Sequence, residues 1–343
     1  MTEHARATAG GQAAGGPDFR FRLLNEFQRG FPLVPQPYAV LADQLGTSEA
    51  RVLEALAAFR DEGALSRVGA VFTPNVMGVS TLAALDVPAA ALERVAAVVS
   101  ARPEINHNYE REGEPNLWFV MTAPGAAELA RAAREIEADA GCGPVLLFPL
   151  MQEYRIDLGF DLAGRAGGPR PAAMASPLAR LLLSSAERQL VAALQSGLAL
   201  DTHPYRSLAQ AAGLGEGEVL QRLQEWIDLG IIRRFGLILR HRELGYHANA
   251  MVVWDVPDAL VDAIGVDLAR RPDVTLCYRR RRAPPVWPYN LYCMIHGRER
   301  EAVLARLCAL DWDCGLARFP RRVLFSRRRF KQRGARYAPE ERA

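Results

Sequence analysis

The chain has 343 residues, half of them apolar, with a formal net charge of +3. That is enough chain to bury two or three cores, and too little net charge to argue for a nucleic-acid partner by itself. Five cysteines (Cys142, Cys277, Cys293, Cys308 and Cys314) form no CxxC pair and no Cys/His spacing suited to a tetrahedral metal, so they read as reduced packing residues and no structural metal is expected.

Residues 1–17 make a Gly/Ala-rich tail that resembles neither a signal peptide nor an anchor. No later run approaches the ~20 apolar residues that span a bilayer, so a cytoplasmic protein without a membrane partner is expected. Three short helical patterns fill 18–68 in a helix-turn-helix arrangement. A strand, helix, strand, strand, helix, strand order follows in 69–160, at Val79–Val87, Ala89–Ser100, Ile105–Arg111, Leu117–Thr122, Gly125–Ala140 and Val145–Ile156. That order is the ferredoxin-like α/β sandwich. Residues 161–177, rich in Gly, Pro and Ala, read as a linker. A second helix-turn-helix unit is placed at 178–235, with helices at Glu187–Gln195, Tyr205–Ala212 and Glu216–Leu229. A second ferredoxin-like unit takes 236–331, and 332–343 is a tail.

The halves are copies. A gapless shift of 167 positions lays Gln28, Gly30, Pro37, Tyr38, Leu41, Arg67 and Gly69 on Gln195, Gly197, Pro204, Tyr205, Leu208, Arg234 and Gly236. The expected fold is therefore α+β, a tandem duplication of a winged helix-turn-helix-like domain followed by a ferredoxin-like sandwich. Two such halves can pair their sheets around a cavity, as a pseudo-symmetric dimer would.

A helix-turn-helix followed by a ferredoxin-like unit resembles the Lrp/AsnC transcription regulators, whose third helix reads DNA. Here that helix carries Arg51 and Arg60 against Glu49, Glu54, Asp61 and Glu62 in the first half, and Arg222 against Glu216, Glu218, Glu225 and Asp228 in the second. Net-acidic helices repel phosphates, so these read as scaffolds and no nucleic-acid partner is expected.

Chemistry is expected where the copies diverge. Pro103–Glu112 aligns with Pro272–Arg281, so Tyr109 falls on Tyr278 and Arg111 on Arg280, but His107 falls on Leu276. Laying Asn116 on Asn290 places His296 on Thr122. Each half thus holds a histidine that the other lacks. Period two puts His107, Tyr109 and Arg111 on one strand face, and Asn290, Tyr292, Met294 and His296 on another. Arg279 and Arg280 belong to a run of four arginines, with Arg282, and Trp287 and Tyr289 read either as hairpin core or as a stacking floor for a flat ligand. His241 can reach the same cavity or serve as a plain turn residue, while His203 and His247 read as structural.

The segments HNYERE and NLWFV of the first half, with CYRR, WPYNLYCMIHG and RRRFKQRG of the second, resemble the sirohaem decarboxylases, in the form of fused NirD and NirL subunits of haem d1 biosynthesis; the AhbA and AhbB pair is similar. The resemblance implies an Lrp/AsnC-like fold that does not bind DNA, sirohaem as the small-molecule substrate, and loss of two acetate carboxyl groups as carbon dioxide. It also implies no added organic cofactor, since the iron travels with the substrate. A flat polycarboxylate calls for Arg111, Arg279, Arg280 and Arg282 as planar cations and for Tyr109, Tyr278, Trp287 and Tyr289 as walls. His107 and His296 are the candidate proton donors, and either can instead ligate the substrate iron. A DNA-binding regulator and a non-catalytic tetrapyrrole sensor stay open as alternatives, as do a homodimer and NirG/NirH-type partner subunits.

Overall fold

A computed structural model of the chain describes residues 17–156, 183–240 and 247–334. The expected linker at 161–177, His241 and most of both tails lie outside these residues. In the first half α1 (Pro17–Glu26), α2 (Pro37–Leu45) and α3 (Glu49–Asp61) precede β1 (Leu65–Phe72). Then come β2 (Val79–Leu85), α4 (Leu92–Ala101), β3 (Ile105–Arg111), β4 (Leu117–Ala123), α5 (Ala126–Ala140) and β5 (Leu146–Ile156). The second half repeats the order: α6 (Ser185–Ser196), α7 (Pro204–Ala212), α8 (Glu216–Asp228), β6 (Ile232–Leu239), β7 (Ala248–Trp254), α9 (Val261–Ala269), β8 (Val274–Arg280), β9 (Leu291–Gly297), α10 (Arg300–Asp313) and β10 (Arg321–Gln332).

Repeated local signals give repeated elements. Pro37 and Pro204 stand at the start of α2 and α7, where a missing N–H costs nothing, and left-handed Gly46 (φ 67°) and Gly213 (φ 65°) end them. Ser184 and Glu187 form a reciprocal capping box at the start of α6.

The two helix-turn-helix units share one apolar core, which runs from Leu23 through Leu56 and Phe59 to Leu190 and Trp226. Tyr38 Oη donates to Ala199 O at 2.9 Å and Tyr205 Oη to Pro32 O at 2.7 Å. The same bond is thus made twice, once in each direction across a pseudo-two-fold axis. Gln36 and His203, equivalent positions, meet on that axis at 3.3 Å. Strands β1 and β6 pair antiparallel as a ribbon with Gly69 opposite Gly236.

The other eight strands close into a barrel in the order β10-β3-β4-β2-β5-β8-β9-β7. Closure comes from the last strand of each ferredoxin-like unit. Leu146–Pro149 of β5 pair with β2 of their own half, while Leu150–Ile156 pair with β8 of the other. Likewise Arg321–Phe325 of β10 pair with β7, and Ser326–Gln332 with β3. The expected facing sheets are thus one continuous sheet, because each 11- or 12-residue strand is long enough to leave its own sheet and finish the partner's. Tyr154 of β5 packs its ring against Gly265 of α9 and bonds Asp262, which fastens the exchanged strand.

Helices α4 and α5 cover one half of the barrel and α9 and α10 the other, each over its own core. A fourth core fills one end of the barrel interior with Trp118, Phe148, Trp287, Tyr289 and Tyr292. Among the described residues no helix is long and apolar enough to cross a membrane.

Candidate active site

Above this aromatic floor the barrel holds a cavity of about 470 Å³. The β1–β6 ribbon roofs it, contributing Arg67, Arg233 and Arg234. Barrel strands add Arg111, Arg280 and Arg329, and Arg333 follows β10. Among the described residues seven arginines line the cavity, and no Asp or Glu does. Such a wall favours a ligand with many anionic groups, because each guanidinium offers a planar fork of donors; Arg233 is ion-paired to a neighbouring carboxylate, Glu153.

The strand register sorts the wall into two arcs related by the pseudo-two-fold. Along β9-β7-β10-β3, His296 pairs with Asn249, Ser326 with Arg111, Arg329 with Tyr109 and Gln332 with His107. The equivalent path along β4-β2-β5-β8 pairs Thr122 with Ser80, Leu150 with Arg280, Glu153 with Tyr278 and Ile156 with Leu276. Both histidines therefore fall on the first arc, one from each half. At the positions of His107, His296, Arg329 and Gln332 the second arc carries Leu276, Thr122, Glu153 and Ile156. Glu153 is ion-paired to Arg233. Tyr109 with Arg111, and Tyr278 with Arg280, are common to both arcs. In each, the guanidinium lies over the tyrosine ring, at 5.7 Å and 4.9 Å.

The pairing explains how each arginine is aimed. Arg111 donates to Leu324 O at 3.2 Å, and Arg280 to Phe148 O at 2.9 Å, each on the strand that the other half lends. Burial lowers the Arg111 pKa to about 10, still well above neutral, and also lowers that of Arg280. Burial likewise pushes the Tyr278 and Tyr292 hydroxyls up, which keeps them protonated as donors.

The imidazoles respond the other way. Burial, with Arg67 as the second cause, brings His107 down to about 4, and burial with Arg111 brings His296 to about 4. At neutral pH both are therefore uncharged in the folded chain. His296 Nδ1 lies 2.6 Å from Asn249 Oδ1, which fixes the proton on Nδ1 and the lone pair on Nε2 when the amide oxygen is the acceptor. The His107 ring stacks on Tyr109 with centroids 6.2 Å apart.

Five residues expected in the site stand elsewhere. Arg279, the neighbour of Arg280, faces out of the barrel by strand alternation and pairs with Asp258 (3.3 Å) and Asp262 (3.0 Å). Arg282 is held the same way by Asp255 and Asp258. Trp287 lies beneath the lining, edge-on to Trp118 at 5.1 Å and donating to Tyr292 Oη at 2.8 Å; Tyr289 packs on it at 4.9 Å. These two form the floor's foundation, and Trp118 and Tyr292 present its surface. Asn290 precedes β9 and clamps the Val256 backbone at 3.0 and 2.9 Å, as Asn116 clamps Val87 at 3.0 and 2.8 Å. His203 caps α7 and His247 is exposed.

Sequence reasoning overlooked Arg67, Arg234, Arg329, Asn249 and Gln195, all of which line the cavity. A signal existed for the first two, since they are a matched pair of arginines in the duplication. Gln195 is likewise matched to Gln28, and Arg329 lies in the segment RRRFKQRG; nothing local marks Asn249.

Comparison with known proteins fits this geometry. The model of the AsnC-like ligand-binding domain matches residues 77–155 and 243–331, and that of the sirohaem decarboxylase NirDL-like helix-turn-helix domain matches 21–65 and 187–233. The sirohaem decarboxylase NirDL subunit of Paracoccus denitrificans is 48% identical over 93% of this chain and 97% of its own length. The chain belongs to the sirohaem decarboxylase NirDL family. A second family member, from Paracoccus pantotrophus, is 46% identical over 93% of this chain and 97% of its own. The crystal structure of a sirohaem decarboxylase NirDL superposes with a TM-score of 0.69 at 25% identity, covering 94% of this chain and 95% of that one.

The lone cation of α8, Arg222, is paired with Glu187 and Glu225. In α3, Arg51 lies over the Phe19 ring at 5.3 Å.

Proposed function

We propose that this NirDL-family protein is a cytoplasmic sirohaem decarboxylase that removes the carboxyl groups of two acetate side chains as carbon dioxide, giving didecarboxysirohaem for haem d1 biosynthesis. The observation that carries this reading is the cavity itself, which among the described residues is lined by seven arginines and no carboxylate, with two imidazoles on one arc.

Arg111, Arg280, Arg67 and Arg234 hold side-chain carboxylates of the macrocycle, and Trp118 and Tyr292 meet its face. An acetate on the histidine arc loses carbon dioxide by heterolysis of the bond between its methylene and carboxyl carbons. The electron pair stays on the methylene carbon, where conjugation with the macrocycle spreads it; this is why no added organic cofactor is needed. A proton then closes the step, leaving a methyl group.

His107 and His296 supply that proton. With both imidazole pKa values lowered to about 4, a neighbouring substrate carboxylate must raise them for the ring to carry the proton. Asn249 keeps the His296 ring in one orientation while this happens. Water exclusion by the β1–β6 ribbon strengthens each of these interactions.

Anaerobic incubation with reduced sirohaem, followed by mass spectrometry, tests the reading. Successive loss of two carbon dioxide masses is expected. Binding of the macrocycle without any mass change would make the protein a sensor and end the assignment.

A further inference from the structure

The second helix-turn-helix unit reaches the cavity through one side chain that its twin withholds. Gln195, near the end of α6, is among the lining residues, and its Nε2 is enclosed with no hydrogen-bond partner among the described residues. An enclosed amide donor without an acceptor costs about 1–3 kcal/mol, so such a group in a ligand cavity is a place for a ligand oxygen.

Its equivalent in the first half, Gln28, is only 4% exposed and is not among the lining residues. The ribbon explains the difference. On the Gln28 side the helix end is pressed onto β6. Leu237 N donates to Phe27 O at 2.9 Å, and a methyl group built on Gly236 would meet Phe27 O at 2.5 Å and the Gln28 backbone at 2.6 Å. On the Gln195 side a methyl group built on Gly69 would find Leu194 O and Gly197 only at 3.5 Å. On this side the close contact lies one turn further on, where Leu198 N donates to Val68 O at 2.7 Å, and the Gln195 side chain lines the cavity. Gly197, two residues on, lies against the Arg67 side chain, and Arg67 is the cation that His107 feels. Gln195 therefore stands at the His107 end.

We propose that Gln195 is a substrate-binding residue, whose amide nitrogen donates to a side-chain carboxylate of the macrocycle beside Arg67 and His107. The helix-turn-helix unit then contributes to the site directly. The proposal rests on the decarboxylase reading for the identity of the ligand, but its test does not depend on turnover.

Iron uroporphyrin, a polycarboxylate macrocycle, is titrated spectrally into the full chain and into Gln195→Leu, Gln195→Asn and Gln195→Glu. The first two are expected to weaken binding about 10-fold, since a hydrogen bond to a charged group is worth about 1.5–3 kcal/mol. Gln195→Glu, which sets a carboxylate against the ligand's own, is expected to weaken it further. With sirohaem the same variants raise KM more than they lower kcat. Parental affinity in both Gln195→Leu and Gln195→Glu, with unchanged thermal unfolding, overturns the proposal while leaving the decarboxylase reading intact. A parental protein that binds iron uroporphyrin but leaves sirohaem unchanged does the reverse.

Discussion

Gly69 lies directly across from Gly236 in the β1–β6 ribbon, and the two are the same position of the duplicated sequence. A two-fold axis relating the halves must therefore pass between them, at the roof of the cavity. The axis is only approximate, and the two glycines show where it fails. Gly236→Ala is expected to destabilise by about 1–3 kcal/mol, because the added methyl group runs into fixed backbone at Phe27 and Gln28. Gly69→Ala meets ordinary contact distances and should cost less than about 1 kcal/mol. Thermal unfolding of the two variants should therefore separate them; equal losses would remove the asymmetry.

His107→Ala and His296→Ala are each expected to fold and to bind iron uroporphyrin, while kcat falls by about 10²- to 10⁴-fold, the span of a lost general acid. Single-turnover decarboxylation of sirohaem measures this. The parental rate in both variants would exclude the proton-transfer roles. Leu276→Ala, at the position of His107 on the other arc, should change kcat far less.

Arg280→Gln and Arg111→Gln should each weaken macrocycle binding by about 10- to 100-fold, as expected for a lost charge-assisted hydrogen bond. Arg279→Gln should leave affinity unchanged, since Arg279 is spent on Asp258 and Asp262 outside the barrel. Equal effects from neighbouring Arg279 and Arg280 would contradict the alternation of β8.

Both histidine pKa values fall from 6.5 to about 4 on folding. The unfolded chain therefore binds more protons between these values, so stability is lost as pH falls from 6.5 toward 4, by at most about 3 kcal/mol per imidazole. The His107→Ala/His296→Ala double variant should show a flatter acid limb in urea unfolding. Macrocycle binding at neutral pH should take up protons, which calorimetry in buffers of different ionisation enthalpy detects. Binding without proton uptake would mean that the bound imidazoles stay neutral.

The sequence by itself determined the duplication, the element order and the two unmatched histidines, because these rest on local patterns: proline and glycine at helix ends, a period of two in strands, and a fixed offset between copies. It also placed His107, Tyr109 and Arg111 on one face. Alternation failed at Asn290, which lies just before β9 and spends its amide on the Val256 backbone. A charge run cannot say which arginine faces inward, so Arg279 and Arg280 looked alike until β8 acquired neighbours. Only the tertiary structure decided that β5 and β10 cross between halves. That exchange puts His107 and His296 on one arc, leaves Leu276 and Thr122 on the other, and brings Arg67, Arg329 and Gln195 to the same cavity. Such convergence depends on pairings between residues 120 and more positions apart, and no local preference in the chain encodes them.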